Sequence, residues 1–305
     1  MKNKQPSVSI VLLNYNGYND TIECIKSLKN ITYNNYKIVI VDNNSTDNSE
    51  IEIKKFIKND DNIQFIQSYK NLGFSGGNNI GIRYALENNA DYICLLNNDT
   101  IVETNFLSEL VNSMEKDNKI GVAAGKIMYF EDKDIIWSAG GFISEIKSLG
   151  EHYGIDIKDS KQFDDTIEVS FLTGCLQLIR KEVFEEIGMY DDIYFLYMED
   201  LDFCKRVTRK GYKLMYIPQS KIYHKVSASI GGFESPLQLY YVTRNRILFN
   251  KKNQNNFIKS ILFYAFMIIK MLIEPFRKKE NYKYMLEGIK DGIKNKYGFK
   301  DITTI

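Results

Sequence analysis

The sequence predicts an α/β fold with a mostly parallel central sheet, followed by a helical C-terminal extension. Between residues 7 and 124, short β-branched runs alternate with segments whose apolar residues recur at helical spacing. Several of these runs stop abruptly in Asn, Asp and Gly, as strands do where they enter a turn. From Pro236 onward the pattern is helical, without strand-like alternation. Such an order places parallel strands in the sheet and helices on both of its faces.

The N-terminal half contains the clearest elements. Strands are predicted where β-branched residues cluster, and helices where Ile, Leu and Phe recur every three or four residues. Asp47 or Ser49 could cap the second helix. In chain order the predicted elements are strand 7–13, helix 21–28, strand 37–41, a helix through Ile51, Ile53 and Phe56, strand 63–66, helix 76–86 and strand 92–96.

The second half of the chain is less regular. The Gly- and aromatic-rich stretch 135–154 suits a hairpin or an irregular excursion. Gly231-Gly232 interrupts the chain within 227–233, which predicts a boundary between a main domain, residues 1–228, and the helical extension, residues 229–305. The other predicted elements are strand 120–124, strand 171–175 ending in a tight turn, helices 183–187 and 201–209, strand 213–217 stopped by Pro218, and a strand-like run 221–223.

Composition places the chain among ordinary globular proteins. With 305 residues, of which 44% are hydrophobic and 26% charged, it can bury a sizeable core. A net charge of +1 gives no long-range attraction for nucleic acid. Cys24, Cys94, Cys175 and Cys204 lie far apart without zinc-like spacing, which favours buried thiols in a reducing compartment. Residues 1–6 lack a signal-peptide pattern, so we expect a cytoplasmic location or the cytoplasmic face of a membrane.

The most informative stretch is the apolar run 92–96, which stops at Asn97, Asn98 and Asp99. Open parallel sheets bind ligands beyond the carboxyl ends of their strands. A carboxylate at that place could hold a divalent cation against a diphosphate, because hard oxygen donors suit Mg²⁺ and Mn²⁺. Taken alone, a strand that enters an Asn/Asp-rich turn explains the run better.

Two further polar motifs follow predicted strands. Asp42 ends the second strand, where an acid can accept hydrogen bonds from a ribose or a base edge; a turn or helix-capping role explains it equally well. The first turn, residues 14–17, lacks G-x-G-x-x-G, which argues against a nicotinamide or flavin site.

The Gly- and Asn-rich stretch 71–81 opens a helix, where backbone amides favour an anionic ligand, although it is not a Walker A loop. Its alternative is a turn before a helix packed tightly through glycine.

An acidic pair follows the aromatic run 194–198. Glu199 and Asp200 stand at a predicted helix start, and a carboxylate against aromatic walls suits a general base. Asp202 and Arg206, four residues apart, could form no more than a surface pair.

The two histidines and Cys175 carry weaker signals. His224 could complete a cation site begun by Asp99, although no spacing brings the two together. We expect a structural role for His152. Cys175 has no histidine nearby in the sequence, so a thiol enzyme is not expected.

Taken together and in this order, the motifs resemble those of the family 2 glycosyltransferases, in particular the rhamnosyltransferase-like members. The resemblance covers roughly residues 7–245. The matching segments are 8–16 for the first strand, 41–47 for the nucleoside-binding acid, 71–74 with 77–81 for the loop near the diphosphate, 96–100 for the metal-binding D-x-D and 197–202 for the catalytic base. Position 224 matches a further metal or diphosphate contact, and 240–245 matches a segment common in the rhamnosyltransferase-like members.

The resemblance implies a GT-A type nucleotide-sugar-binding fold and an inverting transferase of cell-surface polysaccharide synthesis. It implies a divalent cation, Mg²⁺ or Mn²⁺, a nucleotide-sugar donor, and a glycan or lipid-linked acceptor. Asn97 replaces the first carboxylate of the D-x-D, so weaker cation binding is expected. The implied roles are Asp200 as catalytic base; Asp99 and His224 as metal ligands; Leu13, Asn14, Asn16, Asp42, Asn71, Gly73, Asn78, Asn97 and Asn98 as donor contacts; and Thr173, Gly174, Glu199 and Arg244 as acceptor contacts.

Two other functions fit part of the pattern. A nucleotidyltransferase that makes nucleotide-sugars uses a similar architecture, but residues 14–18 lack its Gly-rich, basic loop. A non-catalytic sugar-nucleotide-binding protein fits the weakened motif at Asn97, whereas the Glu199 and Asp200 pair argues against it. The donor sugar cannot be read; rhamnose on a dTDP carrier is implied by the resemblance alone, and UDP-linked hexoses fit as well.

The C-terminal helical region is basic from Lys251 onward and includes a very apolar segment, residues 257–276. Lys259, Lys270 and Glu274 interrupt this segment, and its unbroken apolar part is shorter than the ~20 residues of a spanning helix. Peripheral contact with a membrane surface is one expectation. Docking on the main domain, or in an oligomer interface, is the other.

Overall fold

The computed structural model describes residues 5–226, 235–277 and 282–304. Strands and helices alternate in its first half, as the sequence predicts. The strands are β1 (Val8–Asn14), β2 (Tyr36–Asp42), β3 (Ile63–Gln67), β4 (Tyr92–Asn97), β5 (Thr100–Val102), β6 (Ile120–Tyr129), β7 (Ile135–Ser138), β8 (Gly141–Ser144), β9 (Leu149–His152), β10 (Ile157–Lys158), β11 (Ile167–Val169), β12 (Leu176–Arg180) and β13 (Lys213–His224). The helices are α1 (Tyr18–Leu28), α2 (Ser49–Phe56), α3 (Gly73–Glu87), α4 (Phe106–Lys116), α5 (Lys181–Ile187), α6 (Glu199–Arg209), α7 (Pro236–Asn253), α8 (Phe257–Arg277) and α9 (Tyr282–Ile293), with a 3₁₀ turn at Ile302–Thr304.

A large mixed sheet forms the centre of the fold. Strands β3, β2, β1 and β4 lie side by side and run parallel, so their carboxyl ends share one edge. Beyond β4 the order continues through β12, β6, β7 and β10 with antiparallel pairing. Strand β13 pairs in parallel with β6 and in antiparallel fashion with β5 and β11. Strands β8 and β9 form a separate hairpin within the excursion predicted at 135–154.

Glycines let α3 approach the parallel strands closely. A Cβ atom on Gly77 would lie 2.4 Å from the Leu13 side chain, and one on Gly81 would lie 2.3 Å from Val11. Both distances are far inside van der Waals contact, so only glycine fits at this helix–strand interface. This contact accounts for the glycines at 77 and 81 by packing, which was the alternative that the sequence left open for the 71–81 stretch.

The predicted strand end at Pro218 is wrong. Strand β13 continues from Lys213 to His224, and its pairing with β6 shifts from Ile217 opposite Gly125 to Lys221 opposite Lys126. Residues 218–220 therefore bulge out of the ladder, which accommodates a proline that cannot donate a ladder hydrogen bond.

The predicted strand at 171–175 is also wrong. Phe171 makes only an isolated bridge to Gly141, residues 174–175 form a turn, and the strand begins at Leu176. The apolar residues of 171–175 are buried although they are not in a strand. Short apolar runs do not distinguish a buried turn from a strand.

The C-terminal helices pack against the sheet-bearing part of the chain. Arg209 of α6 donates to the Asn253 side chain of α7 at 2.9 Å. Helix α9 packs on α7 through glycine, because a Cβ atom on Gly288 would lie 2.7 Å from the Tyr240 carbonyl oxygen. Among the described residues no helix is long and apolar enough to cross a membrane. The boundary predicted at 227–233 lies outside the described residues apart from its flanks, and the division into two domains stays a prediction.

Replacing Gly125 with alanine is predicted to destabilise the fold. Its Cβ would lie 2.3 Å from the Ser220 carbonyl oxygen in the β13 bulge, and backbone cannot rotate away as a side chain can. We expect the Gly125→Ala variant to lose about 2–3 kcal/mol of unfolding free energy in urea denaturation. A loss of less than about 1 kcal/mol would contradict the steric explanation.

Candidate active site

The predicted site residues of the first two strands meet at the carboxyl edge of the parallel strands. Asn14 is paired with Asp42 in the β1–β2 ladder, and Leu13 with Asn97 in the β1–β4 ladder. Three segments that lie far apart in the chain thus end side by side at the edge where open sheets bind ligands.

Asp42 is fully buried and its carboxylate is held by four hydrogen bonds. The Asn14 amide donates to it at 2.6 Å, the Ser45 hydroxyl at 2.6 Å, the Ser45 N–H at 3.0 Å and the Gln67 amide at 2.8 Å. Asn16, in a left-handed conformation with φ 55°, accepts from the Thr46 N–H at 2.8 Å. Asp42 therefore ties the turn after β1 to the turn after β2, and its contact with a nucleoside stays a prediction.

The side-chain amides around the start of α3 are also engaged within the protein. Asn43 donates to the Asn71 side chain and to the Gly73 carbonyl oxygen, both at 3.0 Å. Asn78 donates to the Phe74 carbonyl oxygen at 2.9 Å. Gly73 has φ +72°, and a Cβ there would lie 2.0 Å from the Phe195 carbonyl oxygen. This loop is therefore fastened to the aromatic run before Asp200, and its donor contacts stay predictions.

Asn98 faces the β1 side of the strand edge. Its amide donates to the Thr21 hydroxyl of α1 at 2.9 Å, and that hydroxyl donates to Asn14 at 2.8 Å. The Asn97 amide instead lies 3.5 Å from Nε2 of His224. The two neighbouring amides consequently face different parts of the edge.

Asp99 and His224 do meet. The Asp99 carboxylate lies 3.1 Å from Nε2 of His224, because His224 ends β13 opposite Thr100 of β5. Burial favours the neutral imidazole, but the neighbouring Cys175 and Asp99 outweigh it and raise the pKa of His224 to about 10. Burial also raises the pKa of the Cys175 thiol, so Asp99 supplies the negative charge that stabilises the imidazolium. A cation at this place would have to displace that proton, because a histidine binds metal through a deprotonated ring nitrogen.

The residues present fit a divalent cation. Nε2 of His224 faces the Asp99 carboxylate, which is 14% exposed, so an imidazole nitrogen and a carboxylate oxygen lie side by side. Within the described ranges no cluster of three His, Cys, Asp or Glu residues exists that could hold a metal by itself. One carboxylate and one imidazole match the case in which substrate phosphates and water complete the coordination of Mg²⁺ or Mn²⁺.

Asp200 stands at the start of α6, behind two residues with left-handed backbone. Tyr197 has φ 66° and Met198 has φ 78°. The Asp200 carboxylate accepts hydrogen bonds from the N–H of Gly174 at 2.9 Å and of Leu201 at 2.7 Å. The geometry thus brings the predicted base to the turn that also contains Thr173 and Gly174, two of the predicted acceptor contacts.

Of the two neighbouring acids, Glu199 is the one whose surroundings favour the protonated form more strongly. Burial, and then the negative charge of Asp200, keep the pKa of Glu199 well above its ordinary value. Burial also raises the pKa of Asp200, but the N–H groups of Gly174 and Leu201 oppose that rise. One Glu199 oxygen is buried without a partner among the described residues, whereas Asp200 has two donors. Asp200 is therefore the ionised member of the pair.

The Gly174-Cys175 turn connects the two acidic centres. Gly174 donates its N–H to Asp200, and the carbonyl oxygen of Cys175 accepts from the Asn97 N–H at 2.9 Å. The Cys175 thiol interacts with His224, which contacts Asp99. Asp99 and Asp200 therefore belong to one continuous set of contacts at the same edge of the sheet.

Asp202 is not part of a surface pair, contrary to the expectation. It is fully buried, and its carboxylate accepts from Arg206 at 2.8 Å, Asn253 at 2.8 Å and Lys252 at 2.9 Å. Two of these partners lie on α7, which the local sequence around Asp202 does not reveal. The network fixes α6 to α7.

Arg244 lies in the interior of the C-terminal helices. It is 1% exposed, donates to the Gly298 carbonyl oxygen at 2.7 Å, and its guanidinium lies 4.8 Å from the Tyr241 ring centroid. The structure does not bring it to Gly174 through any contact of the described residues, and its role in acceptor binding stays a prediction. Its neighbour Asn245 contacts the site segment, donating to the carbonyl oxygens of Leu196 at 2.8 Å and Tyr197 at 2.9 Å.

Trp137 is a site residue that the sequence did not reveal. Its ring centroid lies 4.6 Å from that of His224 and 5.0 Å from that of His152. His152 is half-buried and bonded to Ser138, as a structural histidine would be, and desolvation followed by the charge of His224 lowers its pKa to about 4. Trp137 is the single tryptophan of the chain, which the sequence shows directly. The sequence does not show that its ring lies beside His152 and His224.

Cys175 has no histidine nearby in the sequence, but His224 lies beside it in the fold. A catalytic thiol needs a lowered pKa, however, and burial raises that of Cys175. All four cysteines are buried free thiols, as expected.

Comparison with known proteins identifies relatives of the whole chain. The family profile of glycosyl transferase family 2 matches residues 9–188, more than half of the chain. The low-salt glycan biosynthesis hexosyltransferase Agl10 of Haloferax volcanii is 28% identical over 299 residues, which cover 95% of this chain and 92% of that protein. The dTDP-rhamnosyl transferase RfbF of Shigella flexneri is 28% identical over 281 residues, covering 89% and 90%.

A solved structure shares the fold. GalNAc-T7, crystallised with UDP, GalNAc and Mn²⁺, superposes with a TM-score of 0.70 at 18% identity, over 97% of this chain and 59% of that chain. The likeness confirms the predicted GT-A type α/β fold.

The proton on Glu199 predicts a specific pH dependence of stability. A carboxyl group whose pKa is raised by folding stabilises the fold below the ordinary glutamate range, and this contribution is lost as pH rises through the folded value. The unfolding free energy of the wild type should therefore fall with rising pH relative to that of Glu199→Gln, measured by urea denaturation at a series of pH values. Asp200→Asn should show a weaker dependence, because it removes the neighbouring charge. A difference that does not change with pH would place the proton elsewhere.

Proposed function

Because the chain belongs to the family 2 glycosyltransferases, we propose that it transfers a sugar from a nucleotide-sugar to a glycan or lipid-linked acceptor with inversion at the anomeric carbon. The observation that carries this proposal is the link between Asp200 and the Asp99–His224 pair through Gly174 and Cys175. An inverting transferase needs a base on one side of the anomeric carbon and charge stabilisation at the leaving group on the other. The nucleotidyltransferase alternative is set aside by family membership.

Asp200 acts as the base in this proposal. It takes the proton of an acceptor hydroxyl while that oxygen forms a bond to the anomeric carbon and the bond from this carbon to the diphosphate breaks, the diphosphate leaving with the electron pair. The N–H groups of Gly174 and Leu201 keep Asp200 ionised beforehand. Protonated Glu199 leaves Asp200 as the single negative charge of the pair and can donate its own hydrogen bond.

Asp99 and His224 are the proposed cation ligands. A divalent cation bound there would neutralise charge on the leaving diphosphate. The solved structure of GalNAc-T7 contains Mn²⁺, which supports a divalent cation for this chain too. Asn97, 3.5 Å from His224, stands at the first position of the family's D-x-D, where the motif has a carboxylate.

For the donor we propose dTDP-rhamnose, supported by the relative named a dTDP-rhamnosyl transferase. The test is a thermal-shift screen of dTDP, UDP, GDP and their sugar conjugates, each with and without Mn²⁺. Ligands that bind only the folded protein raise its melting temperature. Selective stabilisation by dTDP-rhamnose supports the donor, stabilisation by another nucleotide-sugar changes it, and no stabilisation by any of them contradicts the proposed function.

Asp200→Asn is predicted to abolish transfer while donor binding survives. The amide cannot accept the proton, and general-base assistance is worth about 10²–10⁴-fold in rate. Radiolabelled transfer with the donor found in the screen measures kcat, and calorimetry measures donor affinity. Glu199→Gln is the matched control, since a protonated carboxyl and an amide share shape and donor capacity; its kcat should fall much less. Near-normal turnover of Asp200→Asn would disprove the assignment of the base.

Restoring a carboxylate at position 97 is predicted to tighten cation binding. The Asn97→Asp variant places a third donor beside Asp99 and His224, and we expect Mn²⁺ to bind about 10-fold more tightly. Electron paramagnetic resonance of free Mn²⁺ gives the dissociation constant. Asn98→Asp is the control, because its side chain turns to Thr21, and its Mn²⁺ affinity should change little. If Asn98→Asp tightens binding as much as Asn97→Asp, general charge rather than ligation is responsible.

A further inference from the structure

Helix α8 exposes an unbroken apolar face. Its members recur at helical spacing, and the range 257–273 spans about 25 Å at 1.5 Å per residue. Phe257 is 79% exposed, Ile258 68% and Leu272 61%. The face, called here the α8 apolar face, consists of Phe257, Ile258, Ile261, Leu262, Ala265, Ile268, Ile269, Leu272 and Ile273. Single exposed apolar residues are ordinary on protein surfaces, whereas a contiguous patch marks an interaction site.

The opposite side of α8 is packed onto the protein. Phe263 and Met267 are buried together with Ile247 of α7. Ser260 donates to the Asn250 side chain of α7 at 2.9 Å, and Lys259 is paired with Glu145. The orientation of α8 is therefore fixed by contacts, and its apolar face points outward while Glu274, at 3% exposure, is buried.

The charge of this region differs from that of the rest. Residues 251–305 contain twelve Lys or Arg and five Asp or Glu, whereas residues 1–250 contain 28 and 34. The excess of positive charge thus lies in the same part of the sequence as the exposed apolar helix. An apolar face in a basic segment complements a surface that has an apolar interior and anionic headgroups.

We propose that the α8 apolar face inserts into the interface of an anionic lipid membrane. The face has no side-chain hydrogen-bond donor or acceptor, whereas protein interfaces form about one hydrogen bond per 100–200 Å². Acyl chains require none, and the net positive charge of residues 251–305 favours anionic headgroups over neutral ones. A second copy of the chain is the competing occupant, and it would have to cover the face without polar contacts from it.

The docking fixes the orientation of the catalytic helix relative to the membrane. Helix α8 packs on α7, and α7 holds α6 through Asn253 and Lys252. Asp200 at the start of α6 would therefore keep a constant position above the lipid surface. This consequence, which suits an acceptor carried on a lipid, rests on the proposed function; the docking itself does not.

The test is flotation of the full chain with vesicles of phosphatidylcholine and phosphatidylglycerol in equal amounts, and with phosphatidylcholine alone. We expect flotation with the anionic vesicles and weaker flotation with the neutral ones. The triple variant Ile261→Gln, Ile268→Gln and Leu272→Gln should lose about 30-fold or more of the partition, because each exposed apolar side chain forfeits its transfer from water. The matched control changes three exposed isoleucines elsewhere, Ile51→Gln, Ile146→Gln and Ile157→Gln, and should float like the unmodified chain.

Failure of the unmodified chain to float, or equal flotation of both triple variants, would overturn the proposal. Analytical ultracentrifugation of the same proteins addresses the competing occupant: a dimer that the α8 variant alone dissociates, without vesicle binding, assigns the face to a second copy instead. Thermal shift with nucleotide-sugars in the absence of vesicles separates the two proposals. If no protein responds to any donor but the α8 variant alone stops floating, the proposed function fails and the docking stands.

Discussion

The position of the α6 N-terminus is the constraint on which the candidate site depends. Tyr197 and Met198 both adopt left-handed backbone, a conformation that costs about 1–3 kcal/mol per residue outside glycine and persists only where the surroundings hold it. Asn245 holds it by donating to the carbonyl oxygens of Leu196 and Tyr197. Without this turn α6 would begin in another direction, and Asp200 would not meet the N–H of Gly174.

Helix α7 is therefore part of the site's support rather than an appendage. Asn245 of α7 donates to the backbone just before α6. Lys252 and Asn253, also of α7, donate to buried Asp202 in the first turn of α6. A buried carboxylate is tolerated only when it is paired and hydrogen-bonded. Loss of α7 would remove Lys252 and Asn253 from Asp202 and leave Arg206 as its charged partner. The predicted division into a main domain and a C-terminal extension describes the sequence pattern, whereas the contacts make the first of these helices a structural element of the catalytic edge.

Much of the fold could be predicted because strand and helix periodicities are local. The ends of β1, β2 and β4 were predictable to within one residue from apolar runs that stop at Asn14, Asp42 and Asn97. The meeting of Asp99 with His224 was implied by the family resemblance alone, because it depends on the pairing of β13 with β5, which no spacing encodes. The continuation of β13 past Pro218 depends likewise on a bulge whose room is made by Gly125 on another strand. Trp137 was not predicted as a site residue for the same reason, since its ring contacts His224 only in the folded chain.

The Gly174-Cys175 turn explains why the two acidic centres cannot move independently. One residue of the turn donates to Asp200, the proposed base, and the next contacts the histidine of the proposed cation site. The turn is itself fixed from both sides, because Cys175 accepts from the Asn97 N–H, and a Cβ on Gly174 would lie 3.1 Å from the Phe74 ring. Direct displacement requires the attacking and leaving oxygens to keep opposite sides of one carbon atom. Gly174 and Cys175 are neighbours in the chain, so covalent geometry fixes the distance between the groups that contact Asp200 and His224. That distance varies far less than it would if two separate loops carried the contacts.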